Sequence, residues 1–514
     1  MPLRVPGLDF TGLGVLCFCC RPTGVLTSDE KGIRQIHCRP FNFGYSYLPG
    51  KVVSSTKFLN FGGVPVETNP NKIDMLHGGL FWKLVLFALP LAASSILQHF
   101  FNSADVAVVG RFAGGDALAA VGANVANVGV FVNFLVGASI GPNVVVATLI
   151  GSGRMDEVSE AIHTVIAMAI TGGLLLMGVG LAIARPLIEA IGTPVEVLDM
   201  AVLYFRIYML GLPFITLYNF GAAILRSIGD TKRPLMYMIF AGVLNVILNL
   251  LFVVVFRMSV AGVALATTLA NFTSAALVFR TLLHEEGPLK LRIDCIRLHP
   301  RHMKRVLQVG LPAGVQESVF SVSNIFVQAG VNSFGAQAIA GAAAGLNFEY
   351  FTYDICAAFA QAAVTFYSQN LGAGEHGRCR SVFRLTMLQS ILFTQLLALP
   401  FTIWAREFAG LYTTDPVAID YAVSRMYHVM AVEGLCTLFD TPSGVLRSMG
   451  YAISPSVITI LGTVVFRIIW LLTVFRVVPT YEVLMSVYPV SWVLTGTTLI
   501  AMYYRALRKQ RRLA

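Results

Sequence analysis

Gln98-His99-Phe100-Phe101-Asn102-Ser103-Ala104-Asp105-Val106-Ala107-Val108-Val109 is the stretch whose reading decides the fold. It continues an apolar run that begins near Leu80, so the chain carries a carboxylate into a membrane span. On a helix, Gln98, Asn102 and Asp105 stand four and three apart and share one face. An aspartate in mid-span costs roughly 2.5–3.5 kcal/mol on insertion scales, and such residues face a protein interior or a watered cavity. The two amides on the same stripe favour that placement over a carboxylate reaching the interface from the helix end.

The remaining composition agrees. The chain has 514 residues, 56% hydrophobic and only 12% charged, with a mean hydropathy of +0.72; soluble domains carry about 25% charge. These values describe an all-α polytopic membrane protein. Apolar runs of spanning length fall at 80–109, 121–149, 161–183, 200–225, 235–256 and 260–283. After a basic loop come 306–331, 338–368, 383–404, 421–446, 454–478 and 484–505, giving twelve transmembrane helices. Basic residues concentrate in alternate loops, among them Arg226, Lys232, Arg233, Lys290, Arg292, Arg301, Lys304, Arg378 and Arg447, and in the tail. That side is therefore expected to be cytoplasmic, with both termini on it, in a cell (inner or plasma) membrane. The net charge of +10 has the same origin, and no nucleic acid is expected as a partner.

Residues 1–74 differ, being rich in Gly, Pro and polar residues. They are expected to be a disordered or non-native N-terminal extension whose deletion leaves function intact. The expected organisation is then an N-lobe at 75–284 (helices 1–6), a cytoplasmic linker at 285–305, a C-lobe at 306–508 (helices 7–12) and a basic tail at 509–514.

The second half repeats the first. Leu89-Pro90 matches Leu311-Pro312, Gly151-Ser152-Gly153 matches Gly372-Ala373-Gly374, and Arg226-Ser227-Ile228-Gly229 matches Arg447-Ser448-Met449-Gly450. The offset holds at 221–222 throughout. With six spans per repeat, both halves enter the membrane the same way, as two pseudo-symmetric six-helix bundles about an axis along the membrane normal.

No GxxxxGK[ST] loop or HExxH occurs, and the GxSxG match at Gly137–Gly141 lies inside an apolar span as a close-packing site, so neither ATP drive nor an enzyme is expected, and no cofactor. Two bundles with interior carboxylates fit ion-driven alternating access. The repeat selects candidates for the central cavity: Asn133 aligns with Asp354 and Asn219 with Asp440, polarity kept at both symmetric positions. Glu349 joins them. Asp105 has Val327 as its counterpart, so ion chemistry at that level belongs to the N-half. Asn245 and Asn249 on span five, and Thr267 on span six, supply oxygen ligands suited to a hard cation.

These residues resemble the multidrug and toxic-compound extrusion (MATE) family, its prokaryotic multidrug branch more than the eukaryotic one. The resemblance is carried by Leu89-Pro90, Asn102-Ser103-Ala104-Asp105, Val109-Gly110-Arg111, Leu225–Pro234, Gly262–Thr267 and Gln369–Gly374. It implies a V-shaped pair of bundles, ion coupling at Asp105 assisted by Gln98, Asn102, Asn245, Asn249 and Thr267, and helix bending at Pro90. It also implies a possible Na+ site at Asp105, Asn245, Asn249 and Thr267. Relatives with a sodium site carry an acid where this chain has Asn249, so H+ and Na+ both stay open. The expected function is a monomeric antiporter in the lipid bilayer, exporting small amphipathic cationic drugs in exchange for inward H+ or Na+. The alternatives are a flippase for lipid-linked precursors, whose relatives need basic cavity residues where this interior is acidic, and a non-transporting receptor or scaffold.

Overall fold

The computed structural model describes residues 71–513, together with the backbone of a small antiparallel hairpin pairing Tyr47–Leu48 with Lys51–Val52. The expectation for the extension at 1–74 falls outside the described residues except at that hairpin and at 71–74.

In hydrocarbon every backbone N–H and C=O must be bonded within the structure, which leaves an apolar chain of this kind to fold as helices. Twelve helical segments follow one another. The first six are α1 (Leu80–Phe112), α2 (Gly115–Gly151), α3 (Met155–Ala190), the bent α4 (Val195–Leu210 and Leu212–Ser227), α5 (Lys232–Val255) and α6 (Ser259–His284). The second six begin with α7 (Pro300–Asn332), α8 (Ala336–Gly372) and α9 (His376–Ile403). They end with α10 (Pro416–His428, then a tight turn Met430–Cys436, then Thr437–Ser448), α11 (Ile453–Val477) and α12 (Tyr481–Gln510). Among the described residues eight helices are long and apolar enough to cross a membrane, and nine if the 41° bend of α4 is counted within one span. The other three, α7, α8 and α10, carry interior polar residues such as Glu317, Glu349, Asp354, Arg425, Glu433 and Asp440. Their low hydropathy follows from what they hold inside the protein.

The duplication reaches the backbone. Gly114 and Gly335, 221 apart, both take φ near +91°, as do Gly229 and Gly450, because each loop turns through a left-handed residue only glycine adopts freely. Both bundles also carry a π-helical turn in the fifth helix, at Leu250–Val255 and at Ile460–Val465.

The bundles meet along α2–α7 and along α8 with α1 and α2. Glycines let backbones touch there: a Cβ on Gly137 would meet Ala313, one on Gly141 would meet Val306 and Gly310, and one on Gly314 would meet Phe134. Near the pseudo-axis the contacts are reciprocal, the pattern of an isologous interface. Gly151 lies against Gln369 and Gly372 against Thr148, while Asn143 donates to Thr365 Oγ1 across the same interface at 2.8 Å.

Residues 71–79 strap the same end of the molecule, the end that carries the basic loops. Lys72 pairs with Glu285 at 2.7 Å and the Ile73 N–H donates to the Gly229 carbonyl at 3.2 Å, both in the first half. The buried Met75 gives its carbonyl to Asn370 and Arg378 of the second half. Burial raises the Glu285 carboxyl, but Lys72 and Arg233 outweigh it and hold the group below its ordinary range. Its contribution is therefore present above about pH 4.3 and is lost as pH falls through the lower native value.

Candidate functional site

Asp105 sits about two turns before the end of α1 at Phe112, and α1 runs through Pro90 without a break. Pro90 removes one ladder hydrogen bond, and the Ser94 hydroxyl takes its carbonyl at 2.8 Å. An apolar cavity of about 230 Å³ lies beside this point, lined by Leu89 and Ala92 of α1, Ala358 and Phe359 of α8 and Phe393 of α9. The first helix thus has both a weakened turn and space next to it.

Asp105 is met by two helices. Asn249 of α5 donates its Nδ2 to Asp105 Oδ1 at 2.5 Å, and the Thr267 hydroxyl of α6 donates to Oδ2 at 3.2 Å. Asn245 closes the cluster, donating to Thr267 Oγ1 at 3.3 Å and accepting from Asn249 at 3.2 Å. The π-helical turn begins at the residue after Asn249, a widening often found at functional sites. Asn245 and Asn249 are buried, and Asn249 Oδ1 has no hydrogen-bond partner among the described residues. One carboxylate, two amide oxygens and a hydroxyl, one acceptor orphaned, make a donor set that fits a small hard cation or a proton on the carboxylate.

Sequence reasoning placed Gln98 and Asn102 with this group. Both are exposed and neither side chain is hydrogen-bonded to the cluster, because α5 and α6 meet α1 at the level of Asp105, one to two turns beyond them.

The candidate cavity residues divide. Asn133 is exposed and bridges the lobes, donating to Ser321 Oγ at 2.8 Å. Asn219 donates back to the Ile215 carbonyl of its own helix at 2.9 Å. Glu349 is neutralised inside the second half by Arg425, at 2.8–2.9 Å. Asp440, on α10, meets the Cys356 thiol of α8 at 3.9 Å. Asp354 is 8% exposed and faces α1, where His99 Nε2 lies 3.4 Å from its Oδ2.

Two further groups are buried in the second half. Glu433 accepts from the buried Thr352 hydroxyl within the second half. Arg467 is fully buried, with Nη1 3.3 Å from Asn324 and its guanidinium 4.5 Å from the Tyr488 ring centre. Asn324 and Tyr488 are the repeat counterparts of Asn102 and Thr267, so the second half holds a tethered cation near the level where the first half gathers oxygens.

The MatE family model matches this chain twice, at residues 90–251 and 312–472. The chain belongs to the MatE family. The two matches start on Pro90 and Pro312, which makes each half of this MATE protein one copy of the family unit. The probable multidrug resistance protein YpnP of Bacillus subtilis is 25% identical over 77% of this chain and 88% of its own length. An FAD transporter of Shewanella oneidensis is 24% identical over 62% of this chain and 72% of its own length. Among solved structures, an outward-facing multidrug resistance MATE transporter superposes with a TM-score of 0.77 at 19% identity, covering 85% of this chain and 98% of that one. The shared fold is the two-bundle MATE architecture.

Proposed function

We propose that this MATE protein is a secondary antiporter that exports amphipathic organic cations against inward H+ or Na+, by alternating access between its two lobes. The observation that carries the reading is the Asp105–Asn249–Thr267–Asn245 cluster, a single interior carboxylate among neutral oxygens with one acceptor left open. A cation or proton bound there removes the only formal charge of the group. That change alters the bonds tying α1 to α5 and α6, and α1 has its weakened turn at Pro90 through which to move. The basic loops set the strapped end in the cytoplasm, with the chain acting as a monomer.

The deciding experiment is efflux of ethidium from energised vesicles with the pH or sodium gradient collapsed in turn. Loss on collapsing one gradient identifies the ion; indifference to both would overturn antiport.

Substrate charge is assigned to Asp354 and Asp440. A partly desolvated carboxylate attracts a cation more strongly than water allows, so Asp354→Asn and Asp440→Asn are each expected to weaken tetraphenylphosphonium binding about tenfold, about 1.4 kcal/mol. Affinity for neutral compounds should hold. Equal losses for both classes, measured by equilibrium binding, would mean damage to the fold instead.

The N-terminal segment is assigned no part in transport up to residue 70. A chain begun at Asn71 keeps Lys72–Glu285 and the Ile73 bond, and is expected to give the full efflux rate. A chain begun at Met75 loses both. A deficit in the first chain, with insertion verified, would give residues 1–70 a role.

A further inference from the structure

Asp354 is the one candidate substrate carboxylate that looks across the lobe interface. It is nine-tenths buried, and its Oδ2 has no aligned hydrogen bond from any described residue. Among the described residues the one basic side chain within ion-pair distance is His99, at 3.4 Å. His99 belongs to the other lobe. It stands on α1 six residues before Asp105, and its ring is stacked on Tyr350 of α8 with centres 5.0 Å apart and planes at 14°. The next residue, Phe100, stacks on Phe351, so this part of α1 is docked on α8 by two ring pairs.

We infer that His99 is an internal, proton-dependent competitor of the cationic substrate for Asp354. The inference rests on the antiport reading above and adds to it a second group through which protons act. A carboxylate this deeply placed needs a cation beside it. With the imidazole neutral, the organic cation fills that role. Once the imidazole gains a proton, its N–H donates to Asp354 Oδ2, the carboxylate has a tethered partner, and the organic cation is displaced. One proton is bound for one monovalent cation released, so the charge beside Asp354 is the same before and after. Imidazole suits this task because its charge changes between pH 5 and 8. The direction is that of export: binding from the less acidic side, release to the more acidic one.

The other titratable and charged groups around this contact are accounted for. On α8, Tyr350 stacks on the ring and Glu349 is held by Arg425 of α10. On α10, Glu433 feels the Asp354 charge and is bonded by Thr352. On α1 itself, Asp105 is bonded to α5 and α6. His99 is a positioning and specificity residue at the lobe interface; a mere packing role for its ring predicts no pH dependence.

The test measures tetraphenylphosphonium affinity at pH 8.0 and pH 5.5 in the full chain carrying Asp105→Asn, which silences the other proton-binding group. Affinity is expected to fall roughly tenfold between the two values, as the protonated imidazole displaces the organic cation. Adding His99→Gln should abolish the fall and keep the high-pH affinity. Adding His99→Lys, a permanent cation, should give the weak affinity at both values. A tenfold fall that persists in His99→Gln, or full affinity in His99→Lys, overturns the inference. If Asp354→Asn leaves tetraphenylphosphonium binding unchanged, or the parent chain does not bind it, the antiport reading's substrate site fails and the inference with it. If Asp354→Asn weakens binding while His99→Gln keeps the pH response, only the inference fails.

Discussion

Asp105→Asn is expected to bring gradient-driven efflux down to the passive leak while the protein still inserts, folds and binds its organic cation. The amide has the size of the carboxylate it replaces, and it keeps its oxygen for the Asn249 Nδ2 donor while its NH2 donates to the Thr267 hydroxyl, which turns to accept. What it removes is the charge. Without it, nothing in the cluster changes when a proton or sodium ion arrives, and α1 stays in the arrangement of the neutral state. Binding of tetraphenylphosphonium from one face should be retained, since Asp354 lies in the other lobe, across the interface from α1. The energetics sharpen the expectation. Moving one charge through 100 mV is worth about 2.3 kcal/mol, roughly a fortyfold gradient. If one monovalent cation leaves for each ion entering, that voltage term cancels and only the chemical gradient of the ion drives export. In the parent chain, efflux should then follow an imposed pH or sodium gradient and hardly respond to voltage alone. In Asp105→Asn it should respond to neither. Gradient-driven efflux at the parent rate, in well-inserted Asp105→Asn protein, would refute the assignment.

The fold was legible because it was written twice. A constant offset of 221–222 carries the same prolines, the same loop glycines and the same Arg-Ser-x-Gly turn through both halves, and the structure repeats the glycine conformations as well. The Asp105 cluster was legible in part for a similar reason: Asn245 and Asn249 are four apart on an apolar helix, a spacing that puts both on one face. Periodicity assigns a face and leaves open which neighbour arrives at each level. Gln98 and Asn102 share the face of Asp105 and stand free of its cluster, since the polar side chains that α5 and α6 bring to α1 arrive at the acid itself. The His99–Asp354 contact joins residues 255 positions apart on helices of different lobes, and no repeat relation links them. Arg425 and Arg467 had no local signal either. A buried arginine depends on what surrounds it in three dimensions, here Glu349 for one and the Tyr488 ring with Asn324 for the other.

The same duplication yields the second large effect. Gly151 and Gly372 are repeat partners, and each touches the other lobe at the basic end: a Cβ on Gly151 would lie 1.9 Å from the Gln369 carbonyl oxygen, and one on Gly372 2.2 Å from that of Thr148. Both obstacles are backbone atoms, which no rotamer change removes. Alanine suits a helix better than glycine by roughly 1 kcal/mol, so Gly151→Ala and Gly372→Ala leave each helix sound and act only where the lobes close on one another. Overpacking a close contact costs about 1–3 kcal/mol, hence about 5- to 150-fold against the closed arrangement at each site. In the double variant the two act on one interface, and the end strapped by residues 71–79 should stay open. The expected result is a transporter that binds tetraphenylphosphonium from that end with parent affinity but turns over at least tenfold more slowly. A cysteine placed at Ser152 should report the opening by faster labelling with a polar maleimide. Gly178→Ala is the control, as nothing lies within 4 Å of a Cβ there, and it should behave as the parent does. Parent turnover in the double variant, with unchanged labelling at Ser152, would mean that the Gly151 and Gly372 contacts do not open and close during transport.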